Sequence, residues 1–166
     1  KMSTGLGDDE TERVIVIPID NSEYTERTVD WYVENIMKPH DMVHMVNIVE
    51  PIFNSFSAGL AMEAAILTMS EDAETKIKKQ IDKGKQLVKR YIHELRDKGG
   101  KGKGYIRVDS NVGEAIVKVC HEHKADIVLL SNRGEGIIRR TFLGSVSDYV
   151  LHHVDRPVII VPPLHH

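Results

Sequence analysis

Apolar residues along the chain fall into short continuous runs, separated by longer stretches in which they recur every three or four positions. The first run, residues 13–20 (RVIVIPID), is apolar on both alternating sets of positions and is bounded by polar residues. A strand covered on both faces has this pattern, whereas a half-exposed strand alternates. Val29, Tyr32, Val33, Ile36 and Met37 then recur at helical spacing. Asn21 or Ser22 is placed to cap that helix, and Pro39 ends it. Residues 41–49 (DMVHMVNIV) resume strand character and Glu50-Pro51 close it, which completes a β-α-β unit.

Residues 51–69 are apolar and rich in small side chains, and their length suits a loop or a short helix leaning on the core. Ser70, followed by Glu71, Asp72 and Glu74, predicts a helix start, because a capping hydroxyl and early carboxylates both suit the exposed N–H groups there. The stripe Ile77, Ile81, Leu87, Val88, Tyr91, Ile92 and Leu95 carries this helix to Lys98. Gly84 falls on the same stripe, where it permits close packing at a propensity cost of about 1 kcal/mol relative to Ala. Residues 99–104 (GGKGKG) are read as a solvated turn, since they leave a helix and lack the GxxxxGK[ST] pattern of a phosphate loop. A short strand over 105–108, a helix from Asn111 with Ile116, Val117, Val119 and Cys120 inward, and a buried strand over 125–130 follow. After a loop of about a dozen residues come a helix over 144–154 and a last strand between Pro157 and Pro162. Five strands alternating with helices predict an α/β fold with one parallel sheet and helices on both faces.

A chain of 166 residues suits one domain with a sizeable core. We divide it into a flexible N-terminal arm (1–12), the folded domain (13–162) and a short tail (163–166) read as a tag remnant. The formal net charge of −3 offers no overall basic field for a nucleic-acid backbone. With one cysteine, Cys120, no internal disulfide is possible, and a reducing, cytoplasmic setting is expected. No apolar run approaches the roughly 18 residues of a membrane span, so no membrane partner is expected either. His121 and His123 stand about 200° apart on a helix, and His152 and His153 are adjacent, so neither pair chelates one ion from a shared face. Cys120 reads as a small buried hydrophobe.

The chemistry concentrates where strands end. In open parallel sheets, ligands bind beyond the carboxyl ends of the strands, where the strand order reverses. The segments that meet there are Pro18, Ile19 and Asp20, the region of Ile48, and the loop 131–145 (SNRGEGIIRRTFLGS). Gly134 and Gly136 permit close backbone approach, while Gly144-Ser145 opens a helix whose free N–H groups attract an anion. Ser145 and Ser147 add hydroxyls, and Arg133, Arg139 and Arg140 add positive charge, a set that suits a phosphate chain. A basic surface loop before an ordinary capped helix has the same composition. Asp20 likewise reads either as a helix-start acid or as a ligand, and a carboxylate beside phosphates requires an intervening divalent cation.

The loop resembles the signature of the universal stress protein family: Gly, two residues, Gly, nine residues, Gly, then Ser or Thr. Gly134, nine residues and Gly144-Ser145 match in type and spacing, whereas Ser131 stands where the family has its first glycine. Similar blocks run from Arg13 to Pro162, including VIPID (16–20 read in frame with 13–20), NIVEP (47–51) and the closing GSVSDYVLHH and RPVIIVP. The resemblance implies a Rossmann-like domain similar to the adenine nucleotide alpha hydrolases, with strand order 3-2-1-4-5. It also implies ATP, AMP or ADP as ligand, with Pro18, Ile19 and Ile48 beside adenine or ribose. Asp20 would then lie near the ribose or a phosphate-bound magnesium, Leu130, Ser131, Arg133 and Gly134 would line the nucleotide, and Gly144, Ser145, Val146 and Ser147 would cradle the phosphates. The function implied is a nucleotide-dependent sensor or regulator in stress response, with a slow ATPase or a nucleotide-free interaction protein as the alternatives. The last strand, apolar and at a sheet edge, is expected to pair with a second copy into a homodimer.

Overall fold

Ile15, Val16 and Ile17 have no solvent exposure, because the strand that carries them lies in the middle of the sheet. The structure, a computed structural model, describes residues 12–51, 62–132 and 143–163, with backbone alone over 62–73. Its elements are β1 (Arg13–Pro18), α1 (Glu23–Asn35), β2 (Asp41–Val49), α2 (Met62–Asp97), β3 (Gly102–Val108), α3 (Val112–Glu122), β4 (Ile127–Ser131), α4 (Ser145–His153) and β5 (Val158–Val161). All strand pairs are parallel, in the order β3-β2-β1-β4-β5, as the family resemblance implied. Alternate residues point to opposite faces. Ile15, Ile17, Val43, Met45 and Leu129 meet α1 and α2 on one side, while Val16, Val46, Val128 and Leu130 meet α3 and α4 on the other.

Asp41, 3% exposed, ties the lower end of the sheet together. Its carboxylate accepts from Arg13 Nε and Nη2, each at 2.7 Å, from the Tyr32 hydroxyl at 2.7 Å and from the Lys38 amide at 2.9 Å. Burial alone would raise this carboxyl's pKa, but the hydrogen bonds from Arg13 and Tyr32 outweigh burial and lower it. The starts of β1 and β2 and the C-terminal half of α1 are thereby held at one point.

Three expectations need correction. The long helix begins at Met62, not Ser70, so Ser70 is interior rather than a cap. Residues 62–69 (MEAAILTM) are strong helix formers apart from Ile and Thr, and nothing in them breaks the run into Ser70. The glycine-rich stretch 99–104 is a turn only at its start. Gly99 takes a left-handed φ of 83°, whereas Gly102 and Gly104 already belong to β3. Packing explains their type: a Cβ on Gly104 would sit 1.9 Å from Val88 Cγ1, and one on Gly102 would sit 2.8 Å from Ile92 Cδ1. Finally, Ser22 occupies the N-cap of α1 without capping it through its side chain, and its hydroxyl goes to Asp20 instead. By contrast, Asn111 caps α3 through its side chain, accepting from the Glu114 amide at 3.1 Å. Cys120 is fully buried, and burial pushes its thiol up to about 12.

On the α3 side of the sheet, His44 is 5% exposed and packs with Tyr105 and His123, at ring-centroid distances of 4.9 and 4.8 Å. His44 Nδ1 and His123 Nε2 are buried without a hydrogen-bond partner. Burial, then His123 and Lys103, bring the His44 pKa down to about 4.

Two outcomes follow from this packing. Gly104→Ala should cost about 1–3 kcal/mol in urea unfolding, and adding Val88→Ala should cost less than the sum of the single changes, because the second change vacates the space that the first one fills. For His44, the folded state binds the proton more weakly than the unfolded chain, whose ordinary value is 6.5. Its contribution is therefore complete above pH 6.5 and is lost as pH falls toward 4, by up to about 3 kcal/mol. Urea midpoints for His44→Leu and the parent at pH 7, 5.5 and 4.5 should show the parent losing stability faster over that interval.

Candidate functional site

Parallel strands deliver all their carboxyl ends to one edge of the sheet, and β1 lies where the order reverses. β1 pairs with β2 over six positions but with β4 over only two, Ile15↔Ile127 and Val16↔Val128. Beyond Val16 the two strands no longer pair, so Pro18, Ile19 and Asp20 on one side and Leu130 and Ser131 on the other flank the switch point.

The β1 side is fixed by backbone and one amide side chain. Ile19 donates its N–H to the Val46 carbonyl at 2.8 Å, and its own carbonyl accepts from Asn47 Nδ2 at 2.9 Å. Asn47 in turn lies against the backbone of α2 at Gly84, where a Cβ would approach its Oδ1 to 2.4 Å. Asp20 Oδ1 accepts from the Ser22 amide at 3.2 Å, from the Ser22 hydroxyl, and from the buried Thr25 hydroxyl at 2.7 Å. Thr25 Oγ1 accepts from the Asp20 amide at 3.0 Å. The helix-start role of Asp20 is thus realised, and the carboxylate is held at the end of β1.

On the β4 side, the Asn132 amide donates to the Val161 carbonyl at 3.0 Å, and the Ser147 hydroxyl donates to the Ser131 carbonyl at 3.4 Å. That second contact sets the first turn of α4 beside the end of β4. Gly144 is the N-cap of α4 and has no side chain to satisfy the helix's free amides. Its carbonyl accepts from the Asp148 amide at 2.9 Å, so the N–H groups of 145–147 precede the first bond of the helix. A Cβ on Gly144 would meet no atom of the described residues within 4 Å. Amides without a partner among the described residues, at the positive end of a helix, suit an anion.

Of the residues named from sequence, Pro18, Ile19 and Asp20 lie at the end of β1, Leu130 and Ser131 at the end of the neighbouring strand β4, and Gly144, Ser145, Val146 and Ser147 at the start of α4, which the Ser147–Ser131 bond sets beside β4. Ile48 lies one strand away on β2, packed with the cluster that includes Val16 and Val46. Arg133 and Gly134, with Arg139 and Arg140, lie outside the described residues. Sequence reasoning missed Asn47 and Thr25 as positioning residues. A lone amide within the apolar run 41–49 was the signal for the first, and Thr25 carried none.

The architecture is that of a doubly wound α/β domain with an anion-competent helix start at its switch point. The chain belongs to the universal stress protein family, whose model matches residues 12–162. It is 25% identical over 151 residues to a universal stress protein of Mycolicibacterium smegmatis, covering 91% of this chain and 48% of the relative, so it spans about half of that protein's length. Among solved structures, the Methanocaldococcus jannaschii protein MJ0577 superposes with a TM-score of 0.71 at 20% identity, over 93% of this chain and 99% of that one. The Archaeoglobus fulgidus universal stress protein in complex with dAMP gives 0.61 at 19% identity, over 89% and 96% of the two chains. An Arabidopsis thaliana family member with AMP bound gives 0.60 at 14%, over 92% of each. At these identities the superpositions show a shared fold. No described helix is long and apolar enough to cross a membrane.

The Gly84 contact yields a sign test. By helix propensity alone, Gly84→Ala would stabilise α2 by about 1 kcal/mol. The added methyl instead strikes Asn47 and displaces it from the Ile19 carbonyl, so we expect a net loss of about 1 kcal/mol in urea unfolding. In an Asn47→Ala background the same change should become neutral or stabilising.

Proposed function

We propose that this domain binds an adenine nucleotide, ATP with magnesium or its mono- or diphosphate, and acts as a nucleotide-dependent regulatory module in the cytosolic stress response. The observation that carries the reading is the start of α4, beside the end of β4: an N-cap without a side chain, amides over 145–147 with no bond to another described residue, and no described atom within 4 Å of a Cβ placed on Gly144. That AMP and dAMP are bound by proteins of this fold supports an adenine nucleotide as the anion. In this reading Pro18, Ile19 and Ile48 flank the base and ribose, Leu130, Ser131, Arg133 and Gly134 line the nucleotide, and Gly144, Ser145, Val146 and Ser147 hold the phosphates. Asp20 acts through a magnesium ion on the phosphates, because the cation offsets the repulsion between like charges. The edge strand Val158–Val161 pairs with a second copy, since its four residues are apolar and β4 occupies only one of its sides. Binding, with at most slow hydrolysis, is the activity in this reading: hydrolysis needs a group that orients water, and of the two acids nearby Asp20 has Oδ1 tied to Ser22 and Thr25 while Glu135 lies outside the described residues.

Calorimetry with ATP, AMP and GTP, each with and without magnesium, tests this. ATP should bind, magnesium should tighten it, and GTP should bind more weakly. Gly144→Asp, which sets a carboxylate in the space before the free amides, should weaken ATP at least tenfold while leaving the unfolding midpoint nearly unchanged. Ser131→Gly should tighten ATP by removing a Cβ from the nucleotide's path. If ATP gives no heat in the parent and in Ser131→Gly alike, the reading fails.

A further inference from the structure

The sheet has two edges of opposite character. β5 (Val-Ile-Ile-Val) is apolar and short, whereas β3 (Gly-Lys-Gly-Tyr-Ile-Arg-Val) is seven residues long and stands beside a concentration of cations. Residues 76–103 carry eleven Lys and Arg against three Asp and Glu, in a chain whose net charge is −3. Among the described residues β3 pairs with β2 only. The Val43 amide donates to the Lys101 carbonyl at 2.9 Å and the Asp109 amide donates to the Val49 carbonyl at 3.1 Å, so the odd-numbered residues of this stretch turn their backbone groups toward β2. With a period of two, Gly102, Gly104, Ile106 and Val108 turn theirs outward. Two of these four have no side chain to shield the edge, and Val108 is 48% exposed.

The helix above adds charge to the same edge. Val88 and Ile92 lie over Gly104, and Ile92 and Leu95 lie over Gly102. At 100° per residue, Lys85, Lys89 and Arg96 are the next positions around α2 on that flank, away from the flank where Lys98 pairs with Asp30 of α1. All three are exposed, and Lys89 and Arg96 have no ion pair among the described residues. From the other face, Lys101 and Lys103 flank the first outward amide.

From this the geometry points to a docking site for an extended acidic peptide, which adds to β3 as a sixth strand. Outward amides and carbonyls supply the pairing, and Lys85, Lys89 and Arg96 above with Lys101 and Lys103 below select for carboxylates. Lysines on an edge deter a second cationic strand, so two copies of β3 repel one another, while the same charges favour an acidic segment. A flat anionic surface would meet the acids of α1, Glu23, Glu26 and Glu34, in the same helix layer, and the one aromatic on this part of α2, Tyr91, is buried and unavailable for stacking on bases. An extended strand touches neither.

The test uses the isotope-labelled chain and the peptide acetyl-Glu-Val-Glu-Val-Glu-Val-Glu-amide, with its Lys counterpart and a version N-methylated at alternate residues as controls. The acidic peptide should slow hydrogen exchange at the amides of Gly102, Gly104 and Ile106, and the Lys and N-methylated peptides should not. Lys89→Glu combined with Lys103→Glu should weaken the acidic peptide at least tenfold. Equal binding of the N-methylated peptide, displacement by duplex DNA or anionic vesicles with edge exchange unaltered, or no binding at all overturns the proposal. Because the peptide controls need only the parent chain, a variant that fails to fold does not rescue it.

Discussion

The brevity of the β1–β4 pairing is the constraint on which the rest of this domain depends. Two paired positions suffice to make β4 a neighbour of β1 and to bury Ile15, Val16 and Val128 between helix layers. Had the pairing continued in the same register as far as that of β1 with β2, Pro18 and Leu130 would face each other across a closed ladder, but Pro18 has no N–H to give to it. Instead each strand end finds other partners. Ile19 turns to β2, through the Val46 carbonyl and Asn47, while Asn132 turns to β5 through Val161. The backbone groups of Ile19 and Asn132 are thus satisfied by β2 and β5, on the sides away from the switch point.

Holding those ends apart requires the helix layer to be stiff, and here the glycines matter. α2 spans 36 residues, and a helix of that length has many ways to slide over two strands. Val88 over Gly104 and Asn47 against Gly84 admit one register, because any shift brings a side chain to where only a hydrogen fits. Asn47 then transmits this register to the Ile19 carbonyl, one residue before Asp20. At the opposite end of the sheet, Asp41 locks Arg13 and Tyr32. β1 is consequently pinned at both ends by polar contacts made in a mostly apolar surrounding, where an unmade bond is costly.

Much of this could be read from the chain. The doubly apolar runs at 13–20 and 125–130 identified covered strands because covering on both faces leaves no polar alternation, and the switch-point residues followed from topology. What escaped was whatever depends on contact rather than pattern. GGKGKG looks like a turn by composition, and only Val88 and Ile92 reveal why a strand carries glycines there. Ser70 looks like a cap by type, yet a cap exists only where the preceding residues are not helical, and residues 62–69 are. Asp41 gave no sign of being a hub, since only the Lys38 amide is local to it, and Arg13 and Tyr32 reach it through the fold.

The two sheet edges show how one architecture separates its contacts. A parallel sheet cannot close on itself at five strands, so it must leave two rows of backbone groups, and side-chain chemistry decides what each row accepts. At β5 the neighbours are apolar and bounded by prolines, which limits any added strand to four residues of like character. At β3 the neighbours are cations on both faces of the sheet, and two glycines leave the row unshielded. The packing that requires Gly104, a helix pressed to within a methyl's width of the strand, is the same packing that brings Lys85, Lys89 and Arg96 over the edge. Close apposition in the core and a charged, open edge outside it are therefore one structural fact seen from two sides.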